Sequence, residues 1–221
     1  MAVTTEAVVS SLLASFAAGQ RHETPYRHWL VSKCLPSGTV EELNGLPFPA
    51  PALGGVSGKR EVHNATRKYF DLENRAKHPV IAAVAEAFQS QTVTREIETA
   101  FNTDLQGTYL RIEYAQDTNG FWLEPHSDLG VKLFTYLLYT STDASHADLG
   151  TDIYDTDKRH VARSPFKPNA AMVFVPSKIT MHGFEPRKIE GVRKSVIVNY
   201  VSNAWLAREQ LAFPEQPVKH S

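Results

Sequence analysis

After Gly107 the hydrophobic period of the sequence changes, and that change narrows the choice of fold sharply. Residues 108–115, 134–140, 149–154, 170–175 and 193–201 are short runs rich in β-branched and aromatic side chains, separated by polar or glycine-bearing segments. Such side chains suit a pleated, half-buried surface. Runs of this length with no helical pattern between them imply an antiparallel sandwich or jelly roll, because parallel strands need long crossover connections. Before Gly107 the spacing is helical. Val8, Val9, Leu12, Leu13 and Phe16 form one stripe, with Thr4 or Thr5 as N-cap and Gly19 as a stop. Pro79 opens a second stripe through Val80, Ile81, Val84 and Phe88, and Val93, Ile97 and Phe101 form a third. The expectation is a single α+β domain: a mainly helical part over residues 1–106, a jelly-roll core over 107–203 and a C-terminal tail over 204–221.

Charge and cysteine usage exclude several kinds of partner. With 23 Lys and Arg against 24 Asp and Glu the net charge is −1, and no basic run stands out, so a nucleic-acid partner is not expected. The single cysteine, Cys34, rules out an internal disulfide framework and any all-cysteine zinc site, and fits a reducing, cytoplasmic setting. Any metal must therefore rest on histidine and carboxylate. The apolar stretch from Ala7 to Ala18 is too short to span a bilayer, and Glu6 precedes it where a targeting segment carries positive charge, so no membrane association is expected. Residues 44–60, dense in Gly and Pro, read as a long loop able to cover a site; its Gly-Lys pair lacks the flanking residues of a phosphate loop.

Two His-x-Asp triplets occur, His126-Ser127-Asp128 and His146-Ala147-Asp148. Residues i and i+2 of an extended strand point to one side, so an imidazole and a carboxylate at that spacing converge on one cation. His126 precedes an apolar strand, whereas His146 lies in a polar stretch that reads as a surface turn, so context favours His126 and Asp128. His182, after the run 170–175, is the best third ligand. Two histidines and one carboxylate leave open positions that suit non-heme Fe(II), although zinc accepts the same set. Arg193 and Ser195 separate the two cases. They share one face of a strand, and a guanidinium beside a hydroxyl is a natural receptor for a carboxylate, for which a zinc hydrolase has no evident use.

With these residues in place, the sequence resembles the Fe(II)/2-oxoglutarate-dependent dioxygenase superfamily, in particular its prolyl 4-hydroxylase-like branch, over roughly residues 107–203. The segments carrying the resemblance are 124–128, 135–141, 149–154, 168–176 and 182–193, in the family's order. The resemblance implies a double-stranded β-helix core with helices outside, and Fe(II) held by His126, Asp128 and His182. It implies that 2-oxoglutarate chelates the iron while Arg193 grips its distal carboxylate, assisted by Ser195 and Tyr139. It also implies O2 as co-substrate, with release of succinate and CO2. The carboxylate of Asp128 favours hydroxylation over halogenation, since related halogenases lack it. Many animal collagen-type prolyl hydroxylases carry Lys in place of Arg193, so peptidyl proline does not follow as substrate. The expected substrate is a small polar metabolite or an amino-acid side chain, free or peptidyl. Arg111, Trp122, Lys132 and Arg163 are candidate contacts because they lie on strands or segments expected near the proposed iron ligands. A cupin-like metal-dependent hydrolase or isomerase, or a non-catalytic β-sandwich binding module, are the alternatives from other classes.

Overall fold

The computed structural model describes residues 3–51, 58, 67–128 and 130–219. Two antiparallel sheets face each other. The larger contains β1 (Gln20–His22), β2 (His28–Ser32), β3 (Lys68–Tyr69), β4 (Tyr109–Asp117), β6 (Lys132–Tyr139), β9 (Ala170–Phe174) and β11 (Arg193–Val201), in the order β1-β2-β9-β6-β11-β4-β3. The smaller contains β5 (Leu123–His126), β7 (Asp152–Tyr154), β8 (His160–Arg163) and β10 (His182–Phe184), in the order β5-β10-β7-β8. Neighbouring strands in space come from distant parts of the chain, as a jelly roll requires.

The period of two along each strand divides the interior into two cores. On β11, Val196, Val198 and Tyr200 face outward and pack with Ile112, Tyr136 and Leu138 beneath the helices. Those helices are α1 (Thr5–Ala17), α2 (Thr39–Asn44), α3 (Leu72–Lys77), α4 (Pro79–Gln89) and α5 (Gln91–Phe101). Val8, Leu12 and Phe16 of α1, Val84 and Phe88 of α4, and Ile97 and Phe101 of α5 complete this outer core. Thr4 caps α1 and Ser90 caps α5, each accepting a backbone N–H with its side chain. The opposite faces of β6 and β9 carry Leu137, Tyr139, Met172 and Phe174, which meet Leu149, Ile153 and Phe184 between the sheets. The candidate site lies in this second core.

Residues 1–106 carry the helices α1 to α5, and among them β1, β2 and β3 extend the larger sheet at both edges. Their short, polar-flanked runs carry too weak an alternation to register in sequence. The C-terminal residues pack back onto the larger sheet. Ala212 N–H donates to the carbonyl of Leu110 and Val218 N–H to that of Thr108, so this segment closes the edge of β4 and buries Leu211, Ala212 and Phe213. His146 ends a short turn (Ala144–His146) whose flanking residues are exposed, while its own ring is buried, with Nε2 2.7 Å from the Glu190 carbonyl oxygen and the ring edge-on to Phe166. Of the 44–60 loop, residues 52–57, 59 and 60 lie outside the described residues. The part preceding them is tied to β4 through Gln116, whose Nε2 donates to the carbonyls of Phe48 and Pro49. Among the described residues no helix is long and apolar enough to cross a membrane.

Candidate metal centre and carboxylate receptor

The end of β5 and the start of β10 bring two histidines together. His126 and His182 are paired across the antiparallel ladder, and their ring centroids lie 4.4 Å apart. Asp128 follows β5 and turns back beneath them, with Oδ1 3.7 Å from His126 Nε2 and Oδ2 3.7 Å from His182 Nε2. One ligand atom from each of the three residues falls within 4.8 Å of the others. Gly183, between His182 and Phe184, permits the close pass of β10 over β5, because a Cβ there would lie 2.6 Å from the Leu123 carbonyl oxygen.

The imidazole tautomers follow from the backbone. Nδ1 of His126 lies 2.9 Å from the carbonyl oxygen of Glu124, and Nδ1 of His182 lies 3.0 Å from that of Thr180. A carbonyl only accepts, so each Nδ1 carries a proton and each ring turns its Nε2 toward Asp128. His182 is held neutral. Burial, followed by the neighbouring His126, pushes its pKa down to about 3, against the opposing pull of Asp128. Two lone pairs and a carboxylate converging in a buried pocket fit a divalent cation. In their absence of mutual N–H···O bonding they do not read as an ordinary polar network.

The three residues open into a cavity of about 90 Å³ between the sheets, room for several waters, whose wall also includes Lys132, Thr135, Tyr139, Arg193 and Ser195. Arg193 and Ser195 project from one face of β11, with Ser195 directly across from Tyr139. The Arg193 guanidinium is buried among Phe184, Phe166 and Tyr139, its carbon 4.8 Å, 5.3 Å and 5.9 Å from their ring centroids. Nε donates to the Leu149 carbonyl at 2.7 Å and Nη1 to Asp117 Oδ2 at 2.6 Å. Two nitrogens are thus committed, and Nη2 makes no hydrogen bond among the described residues. The Tyr139 hydroxyl is held by Thr151 Oγ1 at 2.9 Å and by Ser164. That contact depends on Gly150, where a Cβ would lie 1.7 Å from the Ser164 carbonyl oxygen.

The structure brings together His126, Asp128, His182, Arg193, Ser195, Tyr139 and Lys132, and leaves the other three expected residues outside the cavity wall. Arg111 is fully buried and bonded to Glu113, Asn199, Gln210 and Tyr69. Arg163 lies on the far face of the smaller sheet, where its Nε donates to Asp152 at 2.7 Å. Trp122 packs against Gly58, where an added Cβ would meet its ring at 2.2 Å. Arg111 and Arg163 stand on strands whose direction carries them elsewhere, and Trp122 precedes β5 and turns to Gly58. Sequence reading missed Asp117 and Arg67. Asp117 lies across from Arg193 in the ladder, and Arg67 Nη1 reaches Asp117 Oδ1 at 3.0 Å while its Nε reaches Glu113 at 3.2 Å. Nothing short of the strand register reveals them. Thr135 and Asn199 were legible in principle, since they share the parity of Tyr139 and Arg193. Tyr26 was also missed: its buried hydroxyl has no partner among the described residues, and burial, then the charges of Tyr139 and Asp128, raise its pKa.

Comparison of the whole structure with solved ones settles the fold. A prolyl 4-hydroxylase from Phytophthora capsici superposes with a TM-score of 0.60 at 14% identity, over 91% of this chain and 66% of that one. The chain therefore spans slightly less than two thirds of that enzyme's length. A prolyl hydroxylase from Trichoplax adhaerens, solved with a hypoxia inducible factor peptide fragment, gives 0.56 at 13% identity over 90% of both chains. The chain shares their fold. HygX from Streptomyces hygroscopicus, solved with nickel, 2-oxoglutarate and hygromycin B, gives 0.54 at 13% identity over 80% of this chain and 83% of that one. No family model and no curated protein matches the sequence. The jelly-roll core with helices outside is thus common to proteins whose sequences have diverged almost completely.

Proposed function

We propose that the protein is an Fe(II)- and 2-oxoglutarate-dependent oxygenase that hydroxylates an unactivated C–H of a small polar metabolite or an amino-acid side chain, releasing succinate and CO2. One observation carries this reading: two imidazoles with their Nδ1 protons fixed on backbone carbonyls converge with a carboxylate in the same cavity as a buried arginine. His126, Asp128 and His182 would hold the iron. Arg193 Nη2 and the Tyr139 hydroxyl would receive the distal carboxylate of 2-oxoglutarate, with Ser195 beside them. The cavity wall carries Arg67, Lys132 and Arg193 against Glu113, Asp117 and Asp128, so its charge is balanced and the reading rests on Arg193 itself, not on a general positive field. Asp117 accepts from Arg193 Nη1 at 2.6 Å and lies 3.0 Å from Arg67 Nη1, which orients Arg193 while sharing the carboxylate between two guanidiniums. HygX, of the same fold, is seen with nickel, 2-oxoglutarate and hygromycin B bound together.

When bound, iron, 2-oxoglutarate and O2 supply an oxidant strong enough to attack a C–H bond. The chain's own residues do the rest. The apolar rings of Phe166 and Phe184 keep water from the arginine and strengthen its hold on a carboxylate. Leu123, Phe121 and Arg67 line the remaining wall, where the primary substrate would lie.

The test is anaerobic. Adding Fe(II) and 2-oxoglutarate to the folded protein is expected to produce a weak visible charge-transfer band; a folded protein that gives none overturns the reading. Arg193→Leu is expected to weaken 2-oxoglutarate binding by tenfold or more, since a hydrogen bond to a charged group contributes about 1.5–3 kcal/mol, with metal affinity retained. Equal 2-oxoglutarate affinity in that variant would move the receptor elsewhere.

A further inference from the structure

Arg111 lies away from the cavity, yet it is connected to the candidate metal centre by a chain of hydrogen bonds whose direction is fixed. Arg111 is fully buried. Its Nη1 donates to Asn199 Oδ1 at 3.3 Å, Asn199 Nδ2 donates to Thr135 Oγ1 at 3.0 Å, and the Thr135 hydroxyl donates to Asp128 Oδ2 at 3.2 Å. A guanidinium has donors only, so the amide of Asn199 must turn its oxygen toward Arg111. The Phe134 carbonyl, 3.4 Å from Asn199 Nδ2, accepts only and demands the same orientation. Thr135 Oγ1 then accepts from Asn199, and its single proton is left to point at Asp128. The same oxygen of Asp128 lies 2.9 Å from Lys132 Nζ.

The far end of the chain is anchored as firmly as a buried cation allows. Arg111 donates to Glu113 Oε2 at 2.7 Å, to Gln210 Oε1 at 3.0 Å and to the Tyr69 hydroxyl at 3.2 Å. Its guanidinium carbon lies 4.7 Å from the ring centroid of Tyr69 and 4.9 Å from that of Trp205. These partners come from β3, β4 and the C-terminal segment, none of which contributes a candidate ligand. A terminal torsion such as that of a carboxylate is soft and roughly two-fold, so something other than rotamer preference must set the plane of Asp128.

We propose that Arg111, Asn199 and Thr135 form a one-way positioning chain that, together with Lys132, fixes the carboxylate plane of Asp128 and so sets the metal affinity of the site. The proposal rests on the metal-centre reading above. Outer hydrogen-bond partners of metal ligands typically contribute about 10- to 100-fold in affinity, and here the chain supplies that contribution from residues on β4, β6 and β11.

The experiment is a Co(II) titration of the full chain, read by the visible d–d spectrum of the bound ion, with thermal unfolding as the check on folding. Thr135→Val, nearly isosteric, is expected to raise the Co(II) dissociation constant by about 10- to 100-fold and to alter the d–d spectrum, whereas Thr135→Ser, which keeps the hydroxyl, restores both. Asn199→Leu is expected to give a smaller loss that disappears in the Thr135→Val background, because both substitutions cut one chain. Wild-type affinity and spectrum in folded Thr135→Val overturn the proposal, as does failure of Thr135→Ser to restore them. Fully multiplicative losses in the double variant also overturn it. If Asn199→Leu does not fold, the Val and Ser variants of Thr135 decide alone. Absence of stoichiometric Co(II) binding by the folded wild type overturns the metal-centre reading and this proposal with it. Binding that requires His126 but ignores Thr135 overturns this proposal only.

Discussion

The two faces of the four-stranded sheet each gather histidine and carboxylate, and only one arrangement suits a cation. On the inner face stand His126, Asp128 and His182. On the outer face, Asp152, His160 and Glu185 also bring ligand-type atoms within 4.8 Å of one another. Composition and spacing do not separate these clusters. What separates them is where each group's other contacts go. Asp152 accepts from Arg163 Nε at 2.7 Å, from Arg187 Nη1 at 2.6 Å and from the Glu185 backbone N–H at 2.7 Å. Two guanidiniums, against the single ammonium of Lys132 beside Asp128, already occupy the place of a cation there and would repel another. His160 turns Nε2 toward Asp152 at 3.2 Å, whereas the inner histidines anchor Nδ1 on backbone and present Nε2 to the carboxylate as a lone pair. A metal site is thus defined as much by its outer hydrogen bonds as by its ligand types.

The comparison breaks if the outer cluster takes metal. Co(II) titration of the wild type is expected to reach one equivalent, and Asp128→Ala is expected to lose it, with affinity falling by at least about 100-fold because one of three ligands is gone. Asp152→Asn should still bind one equivalent with wild-type affinity. A second equivalent that vanishes in Asp152→Asn would show that the guanidiniums do not exclude a cation.

The next largest effect concerns stability. Asp152 is buried, and although burial raises its pKa, the Glu185 N–H, Arg187 and Arg163 together outweigh that and hold it below the ordinary carboxylate value. A carboxyl whose folded pKa is depressed contributes stability that is present above its unfolded, ordinary carboxylate pKa and is lost as pH falls through the lower folded value. Asp152→Asn is expected to cost about 3 kcal/mol at neutral pH, since it leaves the half-buried Arg187 without its counter-charge and Arg163 with Glu185 alone, 3.7 Å from its Nη2. It should also remove part of the acid-side loss. Urea unfolding of both proteins across the acid range measures both effects. An unchanged midpoint at neutral pH would mean that the outer cluster is not a structural clamp.

Much of this organisation was legible in the sequence. The period change after Gly107 gave the strands that became β4, β6, β7, β9 and β11, and the helical stripes gave α1 with its cap Thr4, α4 opening at Pro79, and α5. The pair of His-x-Asp triplets was separable by context: His146 lies on a turn with exposed neighbours, and its buried ring is spent on the Glu190 carbonyl. Register was illegible. Whether Asp117 meets Arg193, or Asn199 meets Thr135, depends on which residue lies across a ladder between strands tens of residues apart, and a one-residue slip would exchange every face. The candidate substrate contacts went astray for the same reason. Arg111 and Arg163 stand on strands adjacent to the site, but one points to the far end of the barrel and the other through the sheet.

The smallest expected effect falls on His160, and it sharpens the comparison from the outer side. Its side chain retains 35% exposure, whereas Asp152 has none, so its contact with Asp152 at 3.2 Å is partly shared with water. Partly exposed pairs of this kind contribute about 0–1 kcal/mol. Asp152 also keeps Arg163, Arg187 and the Glu185 N–H when His160 is removed, so no buried charge is left unpaired. His160→Ala is therefore expected to shift stability by less than about 1 kcal/mol and to leave Co(II) binding at one equivalent, measured by urea unfolding and by titration on the same preparation. A loss as large as that of Asp152→Asn would make the imidazole an equal member of the outer clamp. The distinction would then rest on the guanidiniums alone, and not on the direction in which each ring nitrogen faces.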